Sequence, residues 1–506
     1  MACQENIVHI TPVNALPPLN IGVFFDGTGN DKERPDELSN VWYLYDMHEG
    51  DGKDIEKNKY TLRKFYQRGV GSESGDGLFN WAADTAGNAG GYGAEVRFEN
   101  VLSYIEKYIT EYQEEFDAIP NRIQFDIFGF SRGAAMARHF VNCIKQNYFD
   151  FEDPEINKAF SSRNILINFL GIYDTVGSFG IAGDNDDFGF SFHIDPSWIK
   201  SKAVHIYALN EYRWGFDLQA LIQKQDTNYP IDIIEDNFIE IGLPGAHSDI
   251  GGGYYYDKEI QFTDNSLLAC PPLDLMIEYA IDSGVPLKCT KNDQARRDAG
   301  SALKDKEYSE MLTCYDTIKP YMTDNSLRAP IGLWREHIAL SDIYQFKLDE
   351  ANKEFEDLWD GDDNYYQLQS ETQDLERKLK SLAVKIKLSE QQLKDLFNND
   401  NEFENFKINY DILYQNYMHR SHAPFNTVFG MGKQDADENT SLWNKSISDD
   451  RPHRDIFYNS FKDFEKINAN RTRRSTRPHN KRRAEEQRAA PEYKVLNSIK
   501  WSDPAA

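Results

Sequence analysis

An α/β fold built on a mostly parallel sheet with helices on both faces is predicted by three observations. Short apolar runs rich in β-branched and aromatic residues recur along the first half of the chain, at LNIGVFF, RIQFDIFGF, ILINFLGIY, AVHIYALNE and FIEIGL. Each passes into a polar or glycine-containing turn, and stretches with helical spacing lie between several of them. Strands alternating with helices imply crossover connections, which make neighbouring strands parallel. In such sheets chemistry gathers at the carboxyl ends of the strands.

Taken in order, the first run ends in Asp26-Gly27-Thr28-Gly29-Asn30, a buried strand entering a functional loop. Residues 31–65 are polar and helix-permissive, whereas 69–93 are dense in glycine and are expected to form a long loop or lid. Helical spacing resumes from Val96 to Tyr112. Then Ile123, Phe125, Ile127 and Phe128 make a short strand, followed by a tight turn and an alanine-rich helix. Residues from about 265 to 345 are mostly helical. Leu368, Leu375, Leu379, Leu382, Ile386, Leu393 and Leu396 recur at coiled-coil spacing, which a helical hairpin near 349–415 would satisfy. The expected organisation is an α/β core at 18–260, a mainly helical insertion or C-terminal region at 261–430 and a polar segment at 431–506.

Composition narrows the function classes. With 40% hydrophobic and 13% aromatic residues, most of the 506-residue chain should fold. The net charge of −27 argues against nucleic-acid binding by the main body, because phosphates would be repelled. The exception is a basic tail at 471–488, carrying Arg471, Arg473, Arg474, Arg477, Lys481, Arg482, Arg483 and Arg488. Membrane contact, a flexible loading segment and solvated disorder explain that tail equally well. The N-terminal MACQENIVHITPVNALPPLN has no basic region followed by an apolar run, so no Sec leader is expected. No run reaches the roughly 18 apolar residues of a membrane-spanning helix. Five scattered cysteines without metal-ligand spacing read as reduced thiols, so neither a metal nor another cofactor is expected, and synthesis in a reducing cytoplasm is.

The strongest chemical signal is Gly129-Phe130-Ser131-Arg132-Gly133, a G-x-S-x-G lying between a predicted strand and a predicted helix. On such an elbow the serine hydroxyl is exposed, the helix dipole favours negative charge, and the Arg132 N–H can stabilise an oxyanion. A serine hydroxyl needs a base, and the base needs an orienting carboxylate. The order Ser, acid, His fits Ser131, Asp174 in GIYDTVGS and His247 in LPGAHSDIGGGY. Asp249 is an alternative acid, and His419 or His422 in YMHRSHAPFN is an alternative base. His139 reads as packing or surface, and His205 as a satisfied core residue. The turn at Gly27 and Thr28 lacks the Lys-Ser/Thr ending of a phosphate-binding loop, and an N–H of either residue could be the second oxyanion donor.

FFDGTGN, GFSRGAA, GIYDTVGS and PGAHSDIGGGY, in that order, resemble the catalytic domain of the first family of type VI secretion lipase effectors. The match covers roughly residues 18–257, with weaker echoes in GVG at 69–71 and HIYALNE at 205–211. The resemblance implies an α/β-hydrolase domain and an antibacterial toxin, a phospholipase A1/A2-like enzyme cleaving phospholipid acyl esters. It also implies delivery into the periplasm of a competing cell, on a secretion spike or tube component loaded in the cytoplasm, and a cognate immunity protein. By position it makes Ser131 the nucleophile and His247 the base, with Asp174 favoured over Asp249 as acid. A cytosolic esterase for small soluble esters and a non-catalytic binding module on the same fold are the rival readings.

Overall fold

The computed structural model describes residues 16–28, 30–31, 38–50, 61–69, 92–146, 149–151, 153–160, 164–177, 191–211, 216–221, 237–253, 267–288, 305–322, 325–356, 365–418, 456–457 and 499–501. The chain opens with β1 (Leu19–Phe25), all seven residues of which are buried. This explains the mostly apolar run, interrupted by the polar Asn20, since a central parallel strand is covered on both faces. Ser39 then caps α1 (Asn40–Met47), its hydroxyl accepting the Trp42 N–H. There follow β2 (Thr61–Gln67), α2 (Tyr92–Phe116), β3 (Ile123–Phe130) and α3 (Arg132–Lys145). A short β4 (Phe149–Phe151) leads to α4 (Pro154–Ala159), with Asp153 as its cap and Pro154 in its first turn.

The second half of the sheet is supplied by β5 (Ile165–Tyr173), β6 (Ile199–Ala208) and β8 (Phe238–Leu243), with the short β7 (Leu218–Gln219) between the last two. The six strands run in the order β2-β1-β3-β5-β6-β8, and every adjacent pair is parallel. From β1 the chain goes to one edge and then returns past β1 to build the other side. The order therefore reverses between β1 and β3, where the crevice outside the strand ends is the expected ligand site.

Helices cover both faces. On one, Leu19, Ile21, Val23, Phe125 and Ile127 pack with Val101, Ile105 and Ile109 of α2 and with Ala134, Phe140 and Val141 of α3. On the other, Phe24, Phe128 and Phe169 pack with Val41 and Leu44 of α1 and with residues of the later helices. Phe24 and Phe128 stack at 5.0 Å. Each side chain so buried contributes about 1.5–3 kcal/mol.

After α5 (His247–Gly251) come α6 (Cys270–Asp282), α7 (Asp305–Met322), α8 (Asn325–Glu356), α9 (Tyr365–Lys394) and α10 (Asp400–Asn416). Leu273 and Met276 of α6, Ile318 of α7, Trp334 of α8 and Phe406 and Tyr410 of α10 share the second core cluster with the sheet. The long hairpin is α8 with α9, so it begins earlier and ends earlier than the predicted 349–415. Contacts of Tyr344 with Leu382 and of His337 with Ser389 give it an antiparallel register. A turn at 395–399 then sends α10 back to α7, where the Tyr321 hydroxyl donates to Glu402. Of the predicted heptad residues, Leu368, Leu382 and Leu393 are buried, whereas Leu396 is exposed. Of the C-terminal segment, β9 (Ile456–Phe457) pairs with β7 and β10 (Ile499–Trp501) with β4. The basic tail and most of the glycine-rich 69–93 lie outside the described residues. Among the described residues no helix is long and apolar enough to cross a membrane.

Candidate active site

The turn after β3 is forced by close packing. Ser131 sits between β3 and α3 at φ 58° and ψ −126°, a conformation that a side-chain-bearing residue adopts only under constraint. A Cβ on Gly129 would fall 2.6 Å from Ala134 Cα, and one on Gly133 would fall 2.3 Å from the Phe25 carbonyl oxygen. The two glycines thus let α3 lie directly against β1 and turn Ser131 out at the strand end. Its own N–H donates to the Tyr173 carbonyl at 3.0 Å.

Asp174 follows directly on β5, the neighbour of β3, and is fully buried with φ 38°. Its N–H donates to the Ile206 carbonyl at 2.8 Å, and its Oδ1 accepts the Ala208 N–H at 2.7 Å. Oδ2 lies 2.5 Å from His247 Nδ1. His247 begins α5 beyond β8, so the contact reaches over the end of β6. The imidazole packs against Phe130 at 4.6 Å between ring centroids and meets Phe216 edge-on at 5.0 Å. The structure thus brings Ser131, Asp174 and His247 to the ends of β3, β5 and β8.

Asp249 occupies a different role in the geometry. Its Oδ2 accepts the Ala246 N–H at 2.8 Å, closing the first turn of the helix that His247 opens. His205 and His139 are buried and hydrogen-bonded, His139 to the Ser191 N–H. His419 and His422 lie outside the described residues. Among the described residues no group of three or more His, Cys, Asp or Glu side chains is arranged to hold a metal ion.

The turn after β1 faces the elbow across the crevice. Gly27 N–H, expected as an oxyanion donor, donates to Asp26 Oδ1 at 2.7 Å in this structure. Its need for glycine is spatial, because a Cβ there would lie 2.4 Å from the Phe130 ring. Asp26 also receives the Tyr66 hydroxyl at 2.5 Å. Burial pushes its carboxyl up to about 6, against hydrogen bonds from Ser39, Tyr66 and Gly27 that favour the charged form. Arg132 stands at the first position of α3, where a backbone N–H has no acceptor within its helix.

Several residues of this site had no assigned role in the sequence. Glu211 Oε2 accepts the His247 N–H at 3.3 Å, and Asn210 Oδ1 accepts that of Gly245 at 3.0 Å. Both come from HIYALNE, which resemblance had already marked out. Gly69, from GVG, packs on the Gly27 carbonyl and donates its N–H to the Asn30 carbonyl. Arg138 of α3 is buried and donates to the carbonyls of Phe192, Gln219 and Ala220. Burial pushes its guanidinium down to about 10, with Glu240 opposing the shift.

Comparison with known proteins follows the same residues. The family model for the T6SS phospholipase effector Tle1-like catalytic domain matches residues 20–149 and 145–279, just over half the chain. Among solved structures, a Tle1 effector bound to the VgrG spike of the type 6 secretion system aligns at 21% identity and a TM-score of 0.41. That alignment covers 60% of this chain and 78% of the other. An uncharacterized protein from Pseudomonas aeruginosa aligns at 17% identity and a TM-score of 0.41, covering 77% of this chain and 63% of that one. No curated protein sequence matches the chain.

Proposed function

The chain belongs to the Tle1-like phospholipase effectors of the type VI secretion system, and we propose that it cleaves phospholipid acyl esters as a serine-dependent phospholipase of the A type. The observation that carries this reading is the buried 2.5 Å contact between His247 Nδ1 and Asp174 Oδ2, beside a serine on a strained strand-to-helix turn. A carboxylate at Nδ1 keeps the ring proton on that nitrogen, leaving Nε2 to accept the proton of Ser131 Oγ. Oγ then attacks the ester carbonyl, and the negative oxygen receives the N–H groups of Arg132 and Thr28. Each such donor is worth about 3–4 kcal/mol of barrier. His247 returns the proton to the departing lysophospholipid alkoxide, and water, activated by the same imidazole, hydrolyses the acyl-serine to a free fatty acid.

Supply of the substrate from a bilayer is supported by α9. Residues 377–388 carry Arg377, Lys378, Lys380, Lys385 and Lys387 in a chain of net charge −27, with Arg377 and Lys378 paired to Asp374 and Lys380 to Glu376 at the preceding turn. Val384 and Leu388, one turn apart, are each 59% exposed among these cations. Such a face suits an anionic lipid surface, at about 1 kcal/mol for each Lys or Arg near it. Family membership supports the rest of the reading: carriage by a spike component, action in the periplasm of a competing bacterium, and an immunity protein in the producer.

The test is fatty-acid release from phosphatidylglycerol–phosphatidylethanolamine vesicles beside turnover of a short-chain soluble ester. Both activities are expected in the native chain and neither in Ser131→Ala. Turnover surviving Ser131→Ala refutes the nucleophile, and activity confined to the soluble ester refutes the phospholipid substrate.

A further inference from the structure

Beneath the acid turn lies a second histidine–carboxylate pair that the chemistry above does not use. His205 of β6 and Glu240 of β8 are register partners in adjacent strands, both buried, with His205 Nδ1 2.6 Å from Glu240 Oε1. On the far side of the ring, Nε2 accepts the Thr175 N–H at 3.2 Å and lies 3.2 Å from Thr175 Oγ1. A backbone N–H can only donate, so Nε2 carries no proton and Nδ1 does. The ring is a neutral imidazole, aimed at both ends. Glu240 Oε1 also accepts the Leu221 N–H at 2.7 Å.

These bonds fix two structures that touch His247. Thr175 follows Asp174, whose left-handed conformation persists only if its surroundings hold it. The Thr175 carbonyl accepts the Gln219 N–H at 2.9 Å, and the next N–H, of Val176, reaches the Ser131 carbonyl at 3.3 Å. The acid turn is therefore tied on one side to the elbow and on the other to His205. Leu221 lies five residues beyond Phe216, which meets the imidazole of His247. Arg138 grips the same segment by the Gln219 and Ala220 carbonyls at 2.7 and 3.0 Å. A cation thus holds its carbonyls while an anion holds its N–H.

We infer that His205 and Glu240 are positioning residues, which fix the Asp174 turn and the Phe216 wall around His247 and so set the rate of acylation rather than the affinity for substrate. The inference rests on the assignment of Ser131, His247 and Asp174 made above.

The test uses the full chain, a fluorophosphonate probe that labels an activated serine, and turnover of a short-chain ester. His205→Leu removes the acceptor for Thr175 N–H. It is expected to fold, to label and turn over about 10- to 100-fold more slowly, and to keep the native KM. His205→Gln, whose side-chain oxygen can accept the same N–H, is expected to recover most of that loss. A folded His205→Leu that labels at the native rate overturns the inference. So does a loss of rate accompanied by an equal rise in KM. If His205→Leu does not fold, Glu240→Gln decides: slower labelling and a displaced downfield proton resonance of His247 Nδ1 are expected, and no change in either overturns it. A native chain that fails to label refutes the Ser131 assignment itself.

Discussion

Gly133→Ala adds one methyl group at the tightest contact behind the elbow. Its Cβ would lie 2.3 Å from the Phe25 carbonyl oxygen, 2.4 Å from that of Asp26 and 2.7 Å from the Phe25 carbonyl carbon. Carbon and oxygen settle at roughly 3.3 Å, so α3 and the end of β1 have to part by about 1 Å. All three atoms are backbone, and Phe25 is held in the ladder opposite Gly129, so no side chain can rotate away. Overpacking of this kind costs about 1–3 kcal/mol. At roughly 2–4 °C per kcal/mol for a domain of this size, the unfolding temperature falls by about 2–12 °C. The rate falls further, because the Arg132 N–H rides on one of the separated elements and Thr28 on the other. A misplacement of 1 Å costs about 100-fold in kcat. Differential scanning fluorimetry and short-chain ester kinetics read both quantities. Native melting together with native kcat would refute the claim that this glycine sets the elbow.

Asp174→Asn is expected to lower kcat about 10⁴-fold without unfolding the chain, since an amide no longer holds the Nδ1–H tautomer of His247. Asp249→Asn should act mainly on stability through the cap on Ala246, and the opposite ranking of the two in ester turnover would exchange their roles. On α9, Val384→Asp with Leu388→Asp should abolish binding to anionic vesicles in sedimentation and leave soluble-ester turnover unchanged; persistent binding would remove α9 from the membrane contact. Burial pushes the Asp126 carboxyl up to about 7 from 3.8, against hydrogen bonds from Asn168 and Asn20 and the charge of Lys200 that favour the ionised form. The folded chain therefore keeps a proton that the unfolded chain releases, and native stability falls as pH rises from about 4 to 7. At about 1.4 kcal/mol per pH unit, denaturation of Asp126→Asn beside the native chain should shift in favour of the variant by roughly 4 kcal/mol across that window. A flat difference would show that Asp126 is ionised in the fold.

The sheet and the elbow were legible because their signals are local. Leu19–Phe25 is buried on both faces and so is written as a mostly apolar run, and Gly129 and Gly133 flank the serine because backbone contacts exclude a Cβ at each. The partner of His247 was legible in part. The order Ser, acid, His favours Asp174 and leaves Asp249 as an alternative, and the crossing over β6 brings Nδ1 to Asp174 while Asp249 turns back to Ala246. At Gly27 the packing reason was not legible, because a glycine kept for lack of a side chain and one kept for its N–H look alike in sequence. The hairpin differs from the expected 349–415 because the helix containing 349–356 begins at Asn325, inside the stretch read only as generally helical.

The glycines of the His247 loop also have a bearing on when activity can appear. A Cβ at Gly253 would fall 2.2 Å from Asn30 Nδ2, and one at Gly251 would fall 2.0 Å from the Phe130 ring, so this loop closes against turns translated long before it. A nascent chain that has already folded β1, β3 and the elbow has a serine with no base beside it. On the proposed assignment, hydrolysis is expected only once the Gly251-Gly252-Gly253 segment has docked, and a chain truncated upstream of it is expected to keep the elbow without the activity.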